Sequence, residues 1–449
     1  MNKKRRNPAS KIAMSFVVVI LVGAILLSLP IASNDGTWTS FFDTLFTSTS
    51  AVCVTGLIVT DTAIHFSLFG QIVILLLIQI GGIGFITITS LIFLIIGKKI
   101  KYTGRRTLQE SLSQDTNQGV IKHVKRVLIL VFGVETLGVL LLAPSFIDIY
   151  GVGDGIYKSI FISISAFCNA GFDVLGVTGS EFASLAPLAE NSLVLIPIMF
   201  LIFVGGLGYL VIFDVLGNLK RRTMSVHSKI VLAMSTILIF GGAILYMILE
   251  WNNPNTLGKF GLWDKVVNAF FQSVTTRTAG FATFDQGAMR ASSLLLTYVL
   301  MFIGGSPAST AGGVKTTTIF VLLTVIFRKA NAKGDIVYRK KRVGNGVIRK
   351  SLRVVLLSIM LMLFSVLTIC LVEGDTFTPS QVTYEVISAI STVGLTMGIT
   401  PMLHVVSKMI IILLMFVGRV GTATLTLAFV HKQEYRDIIE YPDSKIMVG

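Results

Sequence analysis

The sequence predicts an all-α polytopic membrane protein, with eight transmembrane helices grouped as four parallel helix–pore-loop–helix repeats around a pseudo-fourfold central pore. Three observations carry this. Charged residues make up 14% of the 449 residues against 53% hydrophobic ones, and mean hydropathy is +0.80; a soluble domain needs a more charged surface. Apolar runs recur near the length of about 20 residues that a helix needs to cross the hydrocarbon core. Finally, a short polar segment ending in glycine occurs four times, each after such a run.

The runs are Ile12–Leu29, Ile72–Ile96, Val124–Ala143, Asn191–Leu216, Ile230–Leu249, an interrupted Leu294–Phe327, Leu352–Val372 and Val406–Val430. The N-terminus, MNKKRRNPASKIAMSFVVVILVGAILLSLP, has the basic head and apolar stretch of a cleaved signal. Its stretch is long for that role, and the first repeat needs it, so we read it as the first transmembrane helix. The net charge of +15 is not a nucleic-acid signature. Lys and Arg gather at Lys3–Arg6, Gly97–Arg106, Lys122–Arg126, Lys220–Arg222 and Arg328–Arg342, whereas Pro30–Ser40 and Gly176–Asn191 have none. That alternation is the positive-inside pattern and puts both termini in the cytoplasm of a multi-pass cell-membrane protein.

The repeated segments read DTLFTSTSAVCVTGL (Asp43–Leu57), SIFISISAFCNAGF (Ser159–Phe172), NAFFQSVTTRTAGF (Asn268–Phe281) and YEVISAISTVGL (Tyr384–Leu395). A second glycine cluster follows each: Gly81–Gly84, Gly205–Gly208, Gly304–Pro307 and Gly418–Gly421. The distance from first glycine to second cluster is 25, 34, 24 and 24 residues. Each unit holds two spans and returns to its starting side, so the repeats are parallel rather than inverted. We divide the chain into repeat 1 (1–98), repeat 2 (99–219), repeat 3 with a broken second helix and an intramembrane loop (220–330), repeat 4 (331–430) and a cytoplasmic tail (431–449).

Non-helical backbone at membrane depth must be buried in protein or line water. Loops ending in glycine can turn carbonyls toward a shared axis, and carbonyl rings replace a cation's hydration shell. The negative end of each preceding short helix favours a cation there too. Taken singly, each glycine also suits close helix packing. Four matching contexts favour the carbonyl reading for Gly56, Gly171, Gly280 and Gly394, and the later clusters read as packing sites.

STVGLTMGITP (Ser391–Pro401) resembles a shortened potassium-channel filter. With TRTAGF, FCNAGF, the broken third-repeat helix and GRVG, nearly the whole chain resembles the Trk/Ktr/HKT superfamily of potassium transporters, specifically its Ktr-type membrane subunits. The resemblance implies a filter of Val54, Thr55, Gly56; Asn169, Ala170, Gly171; Thr278, Ala279, Gly280; and Thr392, Val393, Gly394, coordinating K+ through backbone carbonyls. Glycine rather than serine at position 56 favours potassium by the same likeness. It further implies a homodimer with one pathway per protomer, a cytosolic RCK-type ring that binds ATP or ADP and controls opening, and stimulation by Na+.

The broken helix carries Gly304, Gly305, Ser306, Pro307, Ala308, Ser309, Thr310, Ala311, Gly312 and Gly313, with Lys315 closing the stretch. Its width and its restriction to one repeat point to a gate beneath the filter, matching the family's intramembrane loop; a passive break is the other reading. Arg419, in the fourth repeat's second helix, either forms a barrier in the pathway, tethers the loop through carbonyls, or snorkels. Arg277 is expected to brace the third loop from behind, and the intramembrane Glu135 to pair with a basic residue. Asp61, Asp173 and Asp285 follow the filter glycines closely and either form a cation-concentrating outer vestibule or are solvated loop carboxylates.

Cys53, Cys168 and Cys370 form no CxxC, and the five histidines form no HExxH, so a metal site is not expected. No nucleotide fingerprint lies in a soluble unit, which assigns nucleotide control to a separate partner docking on Arg328–Arg349 or Gly97–Lys122. The tail His431–Gly449 is expected at the dimer contact. Alternatives are a sodium or poorly selective monovalent-cation uniporter and, from another class, a membrane-embedded enzyme. The last would need converging His, Asp, Glu or Cys at membrane depth, which the sequence nearly lacks.

Overall fold

The computed structural model describes residues 8–84, 120–176, 181–221, 224–327, 336–338 and 341–421. Most of Gly97–Lys122, much of Arg328–Arg349, the tail His431–Gly449 and the distal parts of the runs Ile72–Ile96 and Val406–Val430 lie outside these residues. The regular elements of the described part are helices, apart from one antiparallel pair, β1 (Val337–Tyr338) with β2 (Lys341–Arg342), and two isolated bridges.

Four outer helices open the repeats: α1 (Pro8–Ser28), α5 (Val120–Tyr150), α9 (Val226–Glu250) and α13 (Asn345–Glu373). Apart from charged residues toward their ends and Glu135 within α5, their long stretches are apolar, as lipid-facing helices must be. Large side chains such as Leu140, Ile237, Phe364 and Leu371 stand exposed on them. The last three are long and apolar enough to cross a membrane unaided. Four short helices follow: α2 (Phe41–Cys53), α6 (Val152–Cys168), α10 (Leu262–Thr275) and α14 (Pro379–Ser391). These are the opposite case, buried despite their hydroxyls, with Phe46, Phe167 and Phe271 wholly enclosed. The second helices are α4 (Leu68–Ile83), α7 (Ser192–Leu207), α11 (Ala291–Phe302) and α15 (Val405–Val420). A one-turn α3 (Thr62–His65) precedes α4, while α8 (Tyr209–Arg221) and α12 (Thr316–Phe327) continue α7 and α11 after a break.

Three repeats share one packing junction. Ser48, Ser163 and Ser273 on the short helices donate to the carbonyls of Ile20, Glu135 and Ile239 on the outer helices, at 2.7, 2.7 and 2.8 Å. Three residues on from each carbonyl stands a glycine: Gly23, Gly138 and Gly242. A Cβ there would meet that serine and also a leucine of the second helix, Leu77, Leu201 or Leu300, at 2.7, 2.7 and 3.0 Å. Lipid supplies no hydrophobic drive between helices, so such small-residue contacts and interhelical hydrogen bonds set the packing.

The second glycine clusters do two jobs. Gly81, Gly205 and Gly418 lie against the carbonyls of Val52, Phe167 and Ile390, near the ends of the short helices, where a Cβ has no room. Gly84, Gly208 and Gly421 adopt φ of 92°, 89° and 88° and end the helices. At Gly208 the chain turns by 98° into α8. The expectation of a break confined to the third repeat is therefore corrected. The second repeat breaks as well, because a left-handed glycine cannot continue an α-helix.

Gly418→Ala should cost about 1–3 kcal/mol through the collision with the Ile390 carbonyl, read as a fall in melting temperature of detergent-purified protein. Gly133→Ala, inside α5 where a Cβ meets nothing within 4 Å, should not lower it and should raise it slightly.

Candidate ion pathway

Three of the four short helices end alike, and the other, α10, ends at Thr276 in right-handed geometry with a left-handed residue two further on. Val54, Asn169 and Thr392 cap α2, α6 and α14 in the left-handed conformation, with φ of 56°, 58° and 50°, and Thr278 has φ of 72°. Such values are uncommon for residues with a Cβ, and most so for a branched one. The turn is held by the amides of Thr55, Ala170 and Val393, which donate to the carbonyls of Ser50, Ser165 and Ser388 at 2.8 Å each. The next residue is glycine in every repeat, with φ of 94° (Gly56), 71° (Gly171), 85° (Gly280) and 92° (Gly394).

These glycines form a closed ring. A Cβ on Gly56 would meet the Ala170 carbonyl at 2.5 Å, one on Gly171 the Ala279 carbonyl at 2.7 Å, and one on Gly280 the Val393 carbonyl at 2.5 Å. A Cβ on Gly394 would collide with the Thr55 carbonyl, which returns the circuit to the first repeat. Glycine is thus required twice at each position, by backbone angle and by space. Of the twelve residues singled out from the sequence, the four glycines and Thr55, Ala170, Ala279 and Val393 before them meet at this ring.

Sequence reasoning missed what stands behind the ring. Ser50 and Ser388 Oγ accept from the amides of Gly56 and Gly394 at 3.0 and 3.1 Å. Ser165 and Thr275 hydroxyls donate to the carbonyls of Phe172 and Phe281, one residue beyond the glycine, at 2.6 and 2.7 Å. The available signal was a hydroxyl six residues before three of the glycines and five before Gly280. Arg277 does not brace the third loop as expected. Its side chain is buried and its Nε has no hydrogen-bond partner; Thr275 holds that loop instead.

The loop Gly304–Gly313 is packed under the ring. Gly312 lies against the Thr392 side chain, and Thr310 Oγ1 donates to the Phe167 carbonyl at 3.2 Å. Ile303 and Val314 pair across its neck. The amides of Ser306 and Thr310 donate to Gly206 and Gly205, and that of Tyr209 to Ala308, at 3.0, 3.3 and 3.0 Å. The break at Gly208 is therefore the seat of the third repeat's loop. Lys315 Nζ folds back onto the carbonyls of Ala311 and Gly312 at 2.7 and 3.3 Å. Arg419 donates to the carbonyl of Thr310 in the loop and to those of Gly81 and Gly82 in the first repeat. Of the readings left open for Arg419, the carbonyl contacts are the ones observed. A cavity of about 820 Å³ borders the loop, lined by Pro307, Ala311, Lys315, Tyr209, Lys350 and Arg419 among others, and by none of the four ring glycines.

The three aspartates are tied into turns. Asp61 caps α3 through the amides of Ala63 and Ile64 and also accepts from Phe182, at 2.9, 3.1 and 2.9 Å. Asp173 accepts from Leu175 at 3.1 Å and Asp285 from Gly287 at 2.8 Å. Asp61 and Asp173 are half-buried and Asp285 is exposed. Among the described residues Glu135 is not paired with a basic residue. Its carboxylate accepts from Gln79 Nε2 at 2.9 and 3.1 Å. Among the described residues, no group of three or more His, Cys, Asp or Glu could hold a metal ion.

Fold and ring together define a membrane protein of the re-entrant pore-loop class. The chain belongs to the TrkH family of cation transport proteins, whose family model matches residues 2–440. It is 39% identical over 445 residues to the Ktr system potassium uptake protein B of Bacillus subtilis, covering 99% of this chain and 97% of that one. It is 38% identical to the potassium/sodium uptake protein NtpJ of Enterococcus hirae, covering 100% of this chain and 98% of that one. The crystal structure of the potassium transporter TrkH from Vibrio parahaemolyticus has the same fold, with TM-score 0.69 over 96% of this chain and 86% of that one at 15% identity. The resemblance to Trk/Ktr-type proteins read from the motifs is thereby established.

Arg419→Met should loosen the loop. Hydrogen bonds to a charged group contribute about 1.5–3 kcal/mol each, and about 1.4 kcal/mol is tenfold in an equilibrium. With Cys370 replaced, a Ser309→Cys probe should therefore react with a membrane-permeant thiol reagent roughly tenfold faster or more in the Arg419→Met background.

Proposed function

We propose that this chain is the ion-translocating subunit of a Ktr-type potassium uptake system in the cell membrane. The observation that carries the reading is the closed ring of Gly56, Gly171, Gly280 and Gly394, each packed on the next repeat's carbonyl. Its carbonyls, with those of the neighbouring filter residues, would replace water around a dehydrated K+. Gly304–Gly313 is the gate, held shut by Arg419 and Lys315. Opening requires the loop to leave its seat at Gly205–Tyr209. The names of the Bacillus subtilis and Enterococcus hirae relatives support potassium as the ion, and the second also brings in sodium, as co-substrate or activator. A sodium-selective or poorly selective uniporter is the competing reading.

In this reading the protein is not an enzyme and binds no nucleotide itself. It works as a homodimer with both termini in the cytoplasm, under a cytosolic RCK-type ring that takes ATP or ADP. The term "Ktr system" in the name of the Bacillus subtilis relative supports a multi-component assembly. The division into four repeats at 98, 219, 330 and 430 follows the same reading.

In cells lacking their own potassium importers and co-expressing an RCK-type partner, the parent should restore growth at low potassium. Gly394→Ser and Gly280→Ser should not, since each adds a Cβ where angle and space both forbid one. Rescue that survives both changes rules out the ring as the filter; selective rescue by sodium supports the competing ion.

The outer mouth gives a pH test. The Asp173 carboxyl is pushed up to about 6, chiefly by burial, with nearby Asp61 adding to the rise while the Leu175 amide and Lys158 oppose it. Below that value it is neutral, and above it carries the negative charge that concentrates cations. Uptake at limiting potassium should rise as external pH goes from about 5 to about 7, and Asp173→Asn should flatten that rise.

A further inference from the structure

The outer limbs of the four ring segments are not held alike. In the fourth repeat, Leu395–Thr400 climbs away from Gly394 and is gathered onto one side chain. Glu385 of α14 is 1% exposed. Its Oε1 accepts from the Thr396 hydroxyl and from the Met397 amide at 3.1 Å, and its Oε2 from the Thr400 hydroxyl at 2.8 Å. The two threonine hydroxyls lie 3.1 Å apart, and the Gly398 amide donates to Thr396 Oγ1 at 2.9 Å. Among the described residues, no basic side chain is a hydrogen-bond partner of the carboxylate. Three converging donors thus occupy this buried carboxyl group in place of a basic partner.

Glu385 lies nine residues before Gly394. In the first repeat that place is Thr47, whose hydroxyl is spent on its own helix at the Asp43 carbonyl, 2.9 Å away. In the second it is Ile162, which has no polar group. In the third, where the brace-to-glycine interval is one residue shorter, Gln272 stands eight residues before Gly280 and bonds Gln286 at 2.6 Å. Gln286 also accepts from the Tyr384 hydroxyl at 3.1 Å. A buried polar belt thus clamps the outer limbs of repeats three and four, and a carboxylate stands in its fourth-repeat part.

We propose that Glu385 is a positioning residue that sets discrimination among alkali cations: it fixes the limb Leu395–Thr400, and through it the Gly394 carbonyl at the seam where the fourth repeat closes on Thr55. This rests on reading the glycine ring as the cation filter. A limb anchored at three points cannot slide to follow a smaller ion. Released, the seam adapts to Na+, and K+ loses its advantage.

The test uses the full chain reconstituted in proteoliposomes, with K+ and Na+ uptake each measured as KM and Vmax. Glu385→Gln keeps the volume but turns donors toward donors. It should raise the KM for K+ roughly fivefold, the equivalent of one net hydrogen bond, and raise Na+ uptake relative to K+, with Vmax little changed. Thr400→Val should do the same to a smaller extent, and Thr400→Ser should restore parental values. Thr383→Val, on the same helix but bonded only to the Pro379 carbonyl, should behave as the parent. If Glu385→Gln fails to reach the membrane, Thr400→Val decides. A parent selective for K+ with unchanged KM and selectivity in Thr400→Val and Glu385→Gln overturns the proposal and leaves the filter reading standing. A loss of Vmax alone also overturns it. A parent indifferent to Gly394→Ser overturns the filter reading first.

Discussion

Everything in this molecule depends on where the backbone groups go at the ends of four short buried helices. A membrane interior offers no water to an orphaned amide or carbonyl. Three of the helices solve this by turning the cap residue left-handed, and the third repeat does so two residues past its cap, at Thr278, so that the amides beyond reach back to carbonyls one turn earlier. The same turn throws the following glycine toward the centre. Four such turns face one another, and each glycine packs on a carbonyl of the next repeat. The outer helices, the serine–glycine junctions and the hydroxyl braces all serve to hold that arrangement in register.

The loop beneath the ring obeys the same rule by different means. It has no helical hydrogen bonds of its own, so its amides use carbonyls freed in the second repeat by the bend at Gly208, and its carbonyls take up Lys315 and Arg419. Two cations at membrane depth are tolerable because carbonyl oxygens surround them. Arg419 spans two repeats and the loop, so that loop position and first-repeat geometry are mechanically linked.

The apolar runs and the four glycine-ended segments were legible because their physics is local. A span must be long and apolar, and a left-handed position in a recurring context asks for glycine. Pairings across the fold were not. Glu135 meets Gln79 from another repeat, and no spacing announces that. Arg277 looked like a brace because it adjoins Thr278, but its side chain is buried with an unpartnered Nε among the described residues, after an α10 that ends in right-handed geometry at Thr276. The bend at Gly208 was hidden by an apolar stretch that continues through it, from Asn191 to Leu216. Ser50, Ser165, Thr275 and Ser388 were visible only as part of a generally hydroxyl-rich composition, and their role depends on which atom each one faces.

The contact of Gly394 with Thr55 has a bearing on biosynthesis. The chain enters the membrane from its N-terminus, and domains form in that order. The first, second and third turns can dock in succession as each emerges. The last contact, however, joins residues separated by most of the sequence, and until α14 arrives the Thr55 carbonyl faces an open quarter. The nascent protein therefore holds an incomplete circle through most of its insertion. Its final repeat is the keystone, and the glycine ring closes in a single late step.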